Sequence, residues 1–186
     1  EFDAYYLSRV SYNTSSLDIH DLDFGKNKIW GVNTSFSCLS TFDVSGNFTM
    51  KWKPNFITEL VPEDRCHLNG MAMKDELPRF VTALSNTDVK EGWRADIMNS
   101  GVLLAVPSSD VILSGLSMPH SPRFYKDDLY VLTSGDGCML KVDTENKTSE
   151  VYYDFGKFVR GLSFSGKYAF IGVSQIRETS KTFNAD

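Results

Sequence analysis

The chain contains three histidines, His20, His67 and His120, and each stands at the head of a similar pattern. Asp18-Ile-His-Asp-Leu-Asp-Phe-Gly25 precedes the apolar run Lys28-Ile-Trp-Gly-Val-Asn33. Cys66-His-Leu-Asn-Gly-Met-Ala-Met73 precedes Arg79-Phe-Val-Thr-Ala-Leu84, and Pro119-His-Ser-Pro-Arg-Phe-Tyr125 precedes Leu129-Tyr-Val-Leu132. In a fourth unit, Phe158-Val-Arg-Gly-Leu-Ser-Phe164 before Lys167-Tyr-Ala-Phe-Ile-Gly172, the place of the histidine is taken by Arg160. Equivalent positions of a closed repeat converge on one axis, so these four residues define the chemistry open to the chain. Three neutral imidazoles (His20, His67, His120) with open positions suit Zn, Cu or Fe and would make a metal-dependent enzyme. Arg160 is permanently cationic and ligates no metal, so the same circle equally suits a polar or anionic ligand. A third use is structural, with the rings hydrogen-bonded to backbone groups of the next unit. Asp21, Glu63 or Asp64 could orient a ring through its second nitrogen. Cys66 faces the side of its strand opposite to His67 and does not reach the same ligand.

The elements that must position these residues follow from the repeat. The anchors are spaced 67 − 20 = 47, 120 − 67 = 53 and 160 − 120 = 40 residues apart, within the period of roughly 40–50 residues of a four-stranded propeller blade. The expected fold class is therefore all-β and β-propeller-like, one domain over 1–186. Its blades cover about 18–54, 66–116 and 117–155, with part of a fourth over 156–186. Expected strands include Ile19–Phe24, Ile29–Val32, Cys38–Phe42, Phe48–Trp52, Leu68–Met73, Phe80–Leu84, Val102–Val106 and Val111–Leu113. Leu129–Leu132 is an apolar run that reads as a strand buried on both faces, and Gly135-Asp-Gly137 is a turn. Ala4–Val10 reads as the outer strand of a preceding blade. Asn55–Arg65 is a connector whose Phe56, Ile57 and Leu60 would form a helical turn or an apolar plug. The longest spacing reflects an insertion, Ser85–Gly101, which carries Trp93 and Arg94. Long polar loops with an embedded aromatic are often functional, and the pair would cover the channel mouth or pack on outer strands.

Composition narrows the partners. Among 186 residues, 41% are hydrophobic, which argues against disorder, and the net charge of −5 comes without a basic run, which argues against nucleic acid. No stretch reaches the roughly 18 apolar residues of a membrane span. Three cysteines, Cys38, Cys66 and Cys138, are too few for a disulfide framework and read as free thiols. Asn13, Asn33, Asn47 and Asn146 begin sequons. They lean the compartment toward secreted or extracellular over cytoplasmic, with Asn47 and Asn146 in expected outer turns. The chain starts mid-pattern, and three and a half blades fall short of a ring. Missing segments or self-association are expected to complete it.

Several motifs carry a resemblance. Glu63-Asp-Arg-Cys-His-Leu-Asn-Gly70, Gly92-Trp-Arg94, Leu116-Ser-Met-Pro-His-Ser-Pro-Arg123 and Arg160-Gly-Leu162 are similar to a conserved hypothetical family, domain of unknown function 4915. Asp18-Ile-His-Asp-Leu22, Asn33, Phe36-Ser-Cys-Leu39 and Gly172-Val-Ser-Gln-Ile-Arg-Glu178 resemble it too, so the likeness covers nearly the whole chain. Asn33-Thr-Ser stands where the family more usually has Asn-Thr-Arg. The resemblance implies a propeller-like architecture and brings no established activity. Taken together, the motifs and the repeat give a candidate ligand-binding set of His20, His67, His120, Arg160, Asn69, Arg123, Trp93 and Arg94. The partners that set suits are a polar small molecule, a peptide or a glycan. Ser121 lacks a nucleophile-elbow context. Glu63-Asp64-Arg65 reads as a salt-bridged connector, and Arg177-Glu178 as a rim pair or a solvated surface.

Overall fold

The computed structural model describes residues 3–9, 11, 13–43 and 46–175. It is an all-β array of antiparallel sheets, each a simple meander. The first sheet is β1 (Ile19–Gly25), β2 (Lys28–Asn33), β3 (Cys38–Phe42) and β4 (Thr49–Trp52). The second is β5 (Leu68–Lys74), β6 (Leu77–Ala83), β7 (Gly101–Ala105) and β8 (Val111–Leu116). The third is β9 (Pro119–Tyr125), β10 (Asp128–Thr133), β11 (Cys138–Asp143) and β12 (Thr148–Asp154). The fourth sheet comprises the hairpin β13 (Phe158–Ser165) and β14 (Tyr168–Ser174). The expected strands match these closely. The strand expected over Ala4–Val10 is not formed: residues 4–9 have no sheet partner, and the side chains of Tyr5, Tyr6 and Leu7 are exposed.

The first strands β1, β5, β9 and β13 touch one another in succession and form the inner rim. Outer strands fan away from it. The three apolar layers lie between consecutive sheets. Val32 and Leu39 pack on Leu68, Met71, Val81 and Leu104. Ala72, Leu103 and Leu113 pack on Leu129, Val131 and Leu140. Tyr130, Leu132 and Met139 pack on Val159 and Leu162. Neighbouring residues such as Leu103 and Leu104, or Val131 and Leu132, therefore serve opposite layers. A sheet sandwiched between two others needs apolar residues on both faces, which explains the unbroken run Leu129–Leu132. The connector after β4 contributes buried Ile57 and half-buried Phe56 to the first layer. It acts as a plug, with Leu60 left 39% exposed outside it.

Each inner strand is interrupted near its start. The register slips between Ile19 and Asp21, between Leu68 and Gly70, opposite Tyr130–Leu132, and between Arg160 and Leu162. Bulges of this kind increase twist and re-aim side chains. Here they fall at the ends of the inner strands that carry His20, Asn69, His120 and Arg160.

Candidate functional site

His20 leads β1, and its Nδ1 lies 3.1 Å from the Asp18 carbonyl oxygen and 2.9 Å from Thr34 Oγ1. Thr34 Oγ1 in turn donates to the Leu68 carbonyl of the second sheet at 2.6 Å. The arrangement recurs two sheets later. His120 Nδ1 lies 2.9 Å from the Met118 carbonyl and 3.1 Å from Ser134 Oγ, which donates to the Val159 carbonyl of the fourth sheet at 2.5 Å. Each imidazole and hydroxyl thus forms a clip between one sheet and the next. Because the hydroxyl proton is spent on the carbonyl, the ring must supply the Nδ1 proton, which leaves Nε2 as the acceptor nitrogen.

The clip corrects the register of the repeat. Leu68 and Val159 are the carbonyls that receive the hydroxyls. The residues after them, Asn69 and Arg160, therefore stand where His20 and His120 stand. A second marker agrees: Asp18 (φ 51°), His67 (φ 49°) and Met118 (φ 49°) are in the left-handed region, and each lies two residues before an anchor. His67 therefore precedes β5 rather than lying in it, and Asn69 is the anchor of the second sheet. The second sheet contains both a histidine and an asparagine near the expected place, and counting residues alone does not distinguish them.

From its offset position His67 joins a cluster of its own. Its Nδ1 bonds Asp64 Oδ2 at 2.8 Å, which fixes the orientation of the ring. Asp64 Oδ2 also accepts from Trp93 Nε1 at 3.0 Å. The Trp93 ring lies against His67 with centroids 4.3 Å apart, and His20 meets His67 edge-on at 4.7 Å. Trp93 sits in a short 3-10 turn, Gly92–Ala95, inside the insertion, and is buried there with Leu84 and Ile97. The insertion thus reaches the rim of the inner strands. Arg94 lies over the outer side of the Trp93 ring at 4.2 Å and pairs with Glu91 at 3.0 Å.

Burial is the main cause of the electrostatics. Desolvation, then the nearby Arg160 cation, pushes His120 down to about 3. Burial is also the largest influence on His20, lowering it, with His67 and Arg160 adding to the effect against the Asp18 carbonyl. Both rings are neutral at pH 7. Arg160 is exposed at the open side of the circle. Among the described residues, two buried side-chain polar atoms have no hydrogen-bond partner, Asp64 Oδ1 and Asn69 Nδ2. Asn69 is 3% exposed, and its Oδ1 accepts from Thr82 Oγ1 at 2.7 Å. Orphaned buried groups of this kind call for water or a ligand.

Other candidates are placed elsewhere. Arg123 is engaged by other sheets of the array. It forms a two-pronged ion pair with Asp21, Nη2 to Oδ1 at 2.7 Å and Nη1 to Oδ2 at 2.8 Å, and also donates to the Met71 and Pro122 carbonyls. Met71 N donates to Asp21 Oδ2 at 3.0 Å. The third sheet is thereby fastened to the first across the second, and Asp21 orients an arginine rather than an imidazole. Glu63, with Glu59 and Asp88, neutralises Arg65 at 2.9–3.1 Å, as expected for a salt-bridged connector. Arg177 and Glu178 lie outside the described residues. Among the described residues no three His, Cys, Asp or Glu side chains are arranged to hold a metal ion. His20, His67 and His120 therefore do not form the three-histidine metal set, because clip geometry and the offset of His67 separate their roles. Thr34 and Ser134 were not expected, whereas Asp64 was one of three carboxylates expected to orient a ring and does so for His67. The signal for the hydroxyls was present as equal offsets, 34 − 20 = 14 and 134 − 120 = 14.

A family model matches residues 1–185. The chain belongs to that family, Domain of unknown function (DUF4915). Two solved structures share the fold of this DUF4915 chain. One is virginiamycin B lyase from Staphylococcus aureus in selenomethionine form, with TM-score 0.53 and 15% identity over 84% of this chain and 49% of that one. The other is the computationally designed Ika4 protein, with TM-score 0.50 and 14% identity over 88% and 93%. The DUF4915 chain spans about half the length of the lyase structure it matches. Likeness at these identities establishes a propeller-like fold alone. No curated protein matches the sequence.

Proposed function

We propose that the inner-strand face carrying His20, His67, Asn69, His120 and Arg160, roofed by Trp93, binds a small hydroxyl-bearing anion. The observation that carries this reading is the pair of orphaned buried atoms, Asn69 Nδ2 and Asp64 Oδ1. A donor and an acceptor are held dry beside rings whose Nε2 atoms are acceptors. Hydroxyl groups of a ligand would donate to imidazole Nε2. A carboxylate or phosphate would accept from Arg160 and from Asn69 Nδ2. Glycans and acidic peptides share this chemistry and are the larger ligands that fit the reading. A metal-dependent reaction has no support in the arrangement of the described side chains.

One observation favours a second reading, an enzyme working by proton transfer. Asp64 holds His67 by Nδ1 at 2.8 Å, the relation that orients a general-base histidine. Titration of ring-15N-labelled protein with inorganic phosphate, tartrate and glucuronate, followed through the histidine nitrogens, tests the binding reading. Saturable shifts at His20 and His67 that vanish in Arg160→Ala and Asn69→Ala are expected. Absence of saturable shifts with every probe up to tens of millimolar would overturn it. Release of a proton-transfer product from a bound probe, lost in His67→Gln, would favour the second reading.

A further inference from the structure

The first apolar layer opens into a cleft at the strand ends opposite His20 and Asn69. Trp30 lies close to the turn between β1 and β2, and Leu77 beside the turn between β5 and β6. His20 and Asn69 stand toward the other ends of the same strand pairs. Trp30 shares a face with Val32, and Trp52 pairs with Leu39, so both indoles are turned toward the second sheet. They flank the buried layer, as Val106 does from the opposite side. The space between them has a volume of about 210 Å³, with Leu39 at its base, Trp30 and Trp52 on one wall, and Pro78 and Val106 on the other.

The walls are tied together. Trp52 Nε1 donates across the cleft to the Pro107 carbonyl at 3.0 Å. Beside it, Asn55 N donates to Ser109 Oγ and Asn55 Nδ2 to the Ser108 carbonyl, both at 3.1 Å. The cavity is therefore preformed, and little ordering is left for a ligand to impose. Trp30 Nε1 is spent as well, on the Gly25 carbonyl at 3.2 Å. With both N–H groups committed, the indoles offer carbon rather than donors. That disfavours glycans and proline-rich segments, whose hydroxyls and carbonyls need donors from an aromatic wall. The rim, in contrast, is cationic. Lys51 is exposed there. Arg79 is 42% exposed, donates Nε to the Lys74 carbonyl at 3.4 Å and reaches the exposed Asp75 at 3.6 Å. An exposed pair of that length is weak and yields readily to a better acceptor.

We propose that this cleft binds a small aromatic carboxylate, its ring against Trp30, Trp52 and Leu39 and its carboxylate between Lys51 and Arg79. The volume lies below the roughly 300 Å³ at which pockets begin to hold drug-sized molecules, so the ligand is of one-ring size. The cleft shares no residue with the axial site, and the two readings stand or fall separately. The test is titration of the 15N-labelled chain with phenylacetate, phenylacetamide and acetate, followed through the indole N–H signals of Trp30, Trp52 and Trp93. Phenylacetate should shift Trp30 and Trp52 saturably with a Kd of about 1 mM, the range of a ligand of so few atoms, and leave Trp93 still. Phenylacetamide should bind several-fold more weakly, and acetate should leave both indoles unmoved. The double variant Lys51→Gln with Arg79→Gln should weaken phenylacetate at least several-fold, with circular dichroism as the folding control. No saturable shift of Trp30 and Trp52 up to tens of millimolar would overturn the proposal. So would equal binding of acid and amide, undiminished binding by the double variant, or saturation of those signals by glucose or a proline-rich peptide but not by phenylacetate.

Discussion

Replacing Asp21 by asparagine tests the fastening of the first and third sheets. The substitution keeps size and one acceptor for Met71 N but removes the charge facing Arg123. Burial by itself lowers the affinity of Arg123 for its proton, and Asp21 more than offsets this, so the guanidinium is held more firmly charged than usual. The side chains are 25% and 12% exposed, so water compensates little once the carboxylate is gone. Unit charges about 4 Å apart attract by roughly 4 kcal/mol at the effective dielectric of protein sites. Breaking a buried pair from one side costs about 3–5 kcal/mol. The Met71 and Pro122 carbonyls remain as acceptors, which places Asp21→Asn near the lower figure, about 3 kcal/mol. In a chain of this length that corresponds to a fall of about 6–12 °C in Tm. Urea unfolding of Asp21→Asn, Arg123→Met and the double variant gives the cycle. The double variant should recover at least half of the single losses, because no unpaired charge is left behind. Additive losses, or a loss below about 0.5 kcal/mol for Asp21→Asn, would show that the pair does not fasten the sheets.

Acid should weaken the fold through His120. Its folded pKa of about 3 lies below the unfolded value of 6.5, so the unfolded chain takes the proton first. Stability is full above about pH 6.5 and falls by about 1.4 kcal/mol per unit down to about pH 3. Denaturant unfolding from pH 7 to 4 should show this slope, and His120→Gln should flatten it; an unchanged slope would assign the acid sensitivity elsewhere. Burial pushes the Cys66 thiol up to about 12 and Cys38 up to about 11. A thiol-labelling reagent at pH 8 should modify at most Cys138 before unfolding and all three afterwards, and native labelling of Cys66 would contradict the packing of the first layer. If the chain is exported through a glycosylating pathway, glycopeptide analysis should find sugar at Asn47 and Asn146, which are exposed, and none at Asn33, which is fully buried.

The fold was legible because its determinants are local and repeated. Turn residues punctuate strands of four to eight residues, and runs such as Leu129–Leu132 announce burial on both faces. The strand expected over Ala4–Val10 was misread for a complementary reason: an apolar run such as Ala4-Tyr-Tyr-Leu7 makes a strand only where an edge is available to pair. The site was legible in part. That His20 and His120 are equivalent could be read from their flanking residues. The clip that explains them could not, since it depends on which carbonyl of the next sheet lies within reach. Arg123 looked like a ligand contact because its partner Asp21 lies 102 residues away. The offset of His67 was hidden because a histidine and an asparagine, His67 and Asn69, stand two residues apart at the head of the second sheet.

The joints between sheets are not alike, and temperature should tell them apart. Thr34 and Ser134 bridge the first sheet to the second and the third to the fourth by hydrogen bonds. At the corresponding place in the second sheet stands Leu84, which can bridge nothing and instead packs with Trp93, Ile97, Met98 and Met118. The insertion thus substitutes an apolar joint for a polar clip. Apolar attraction fades on cooling whereas hydrogen bonds do not. Chilling should therefore loosen the contact of Leu84 with the insertion before it loosens either hydroxyl clip. Because Trp93 belongs to that joint, the roof over His67 would slacken with it, and affinity at the site would carry an imprint of cold.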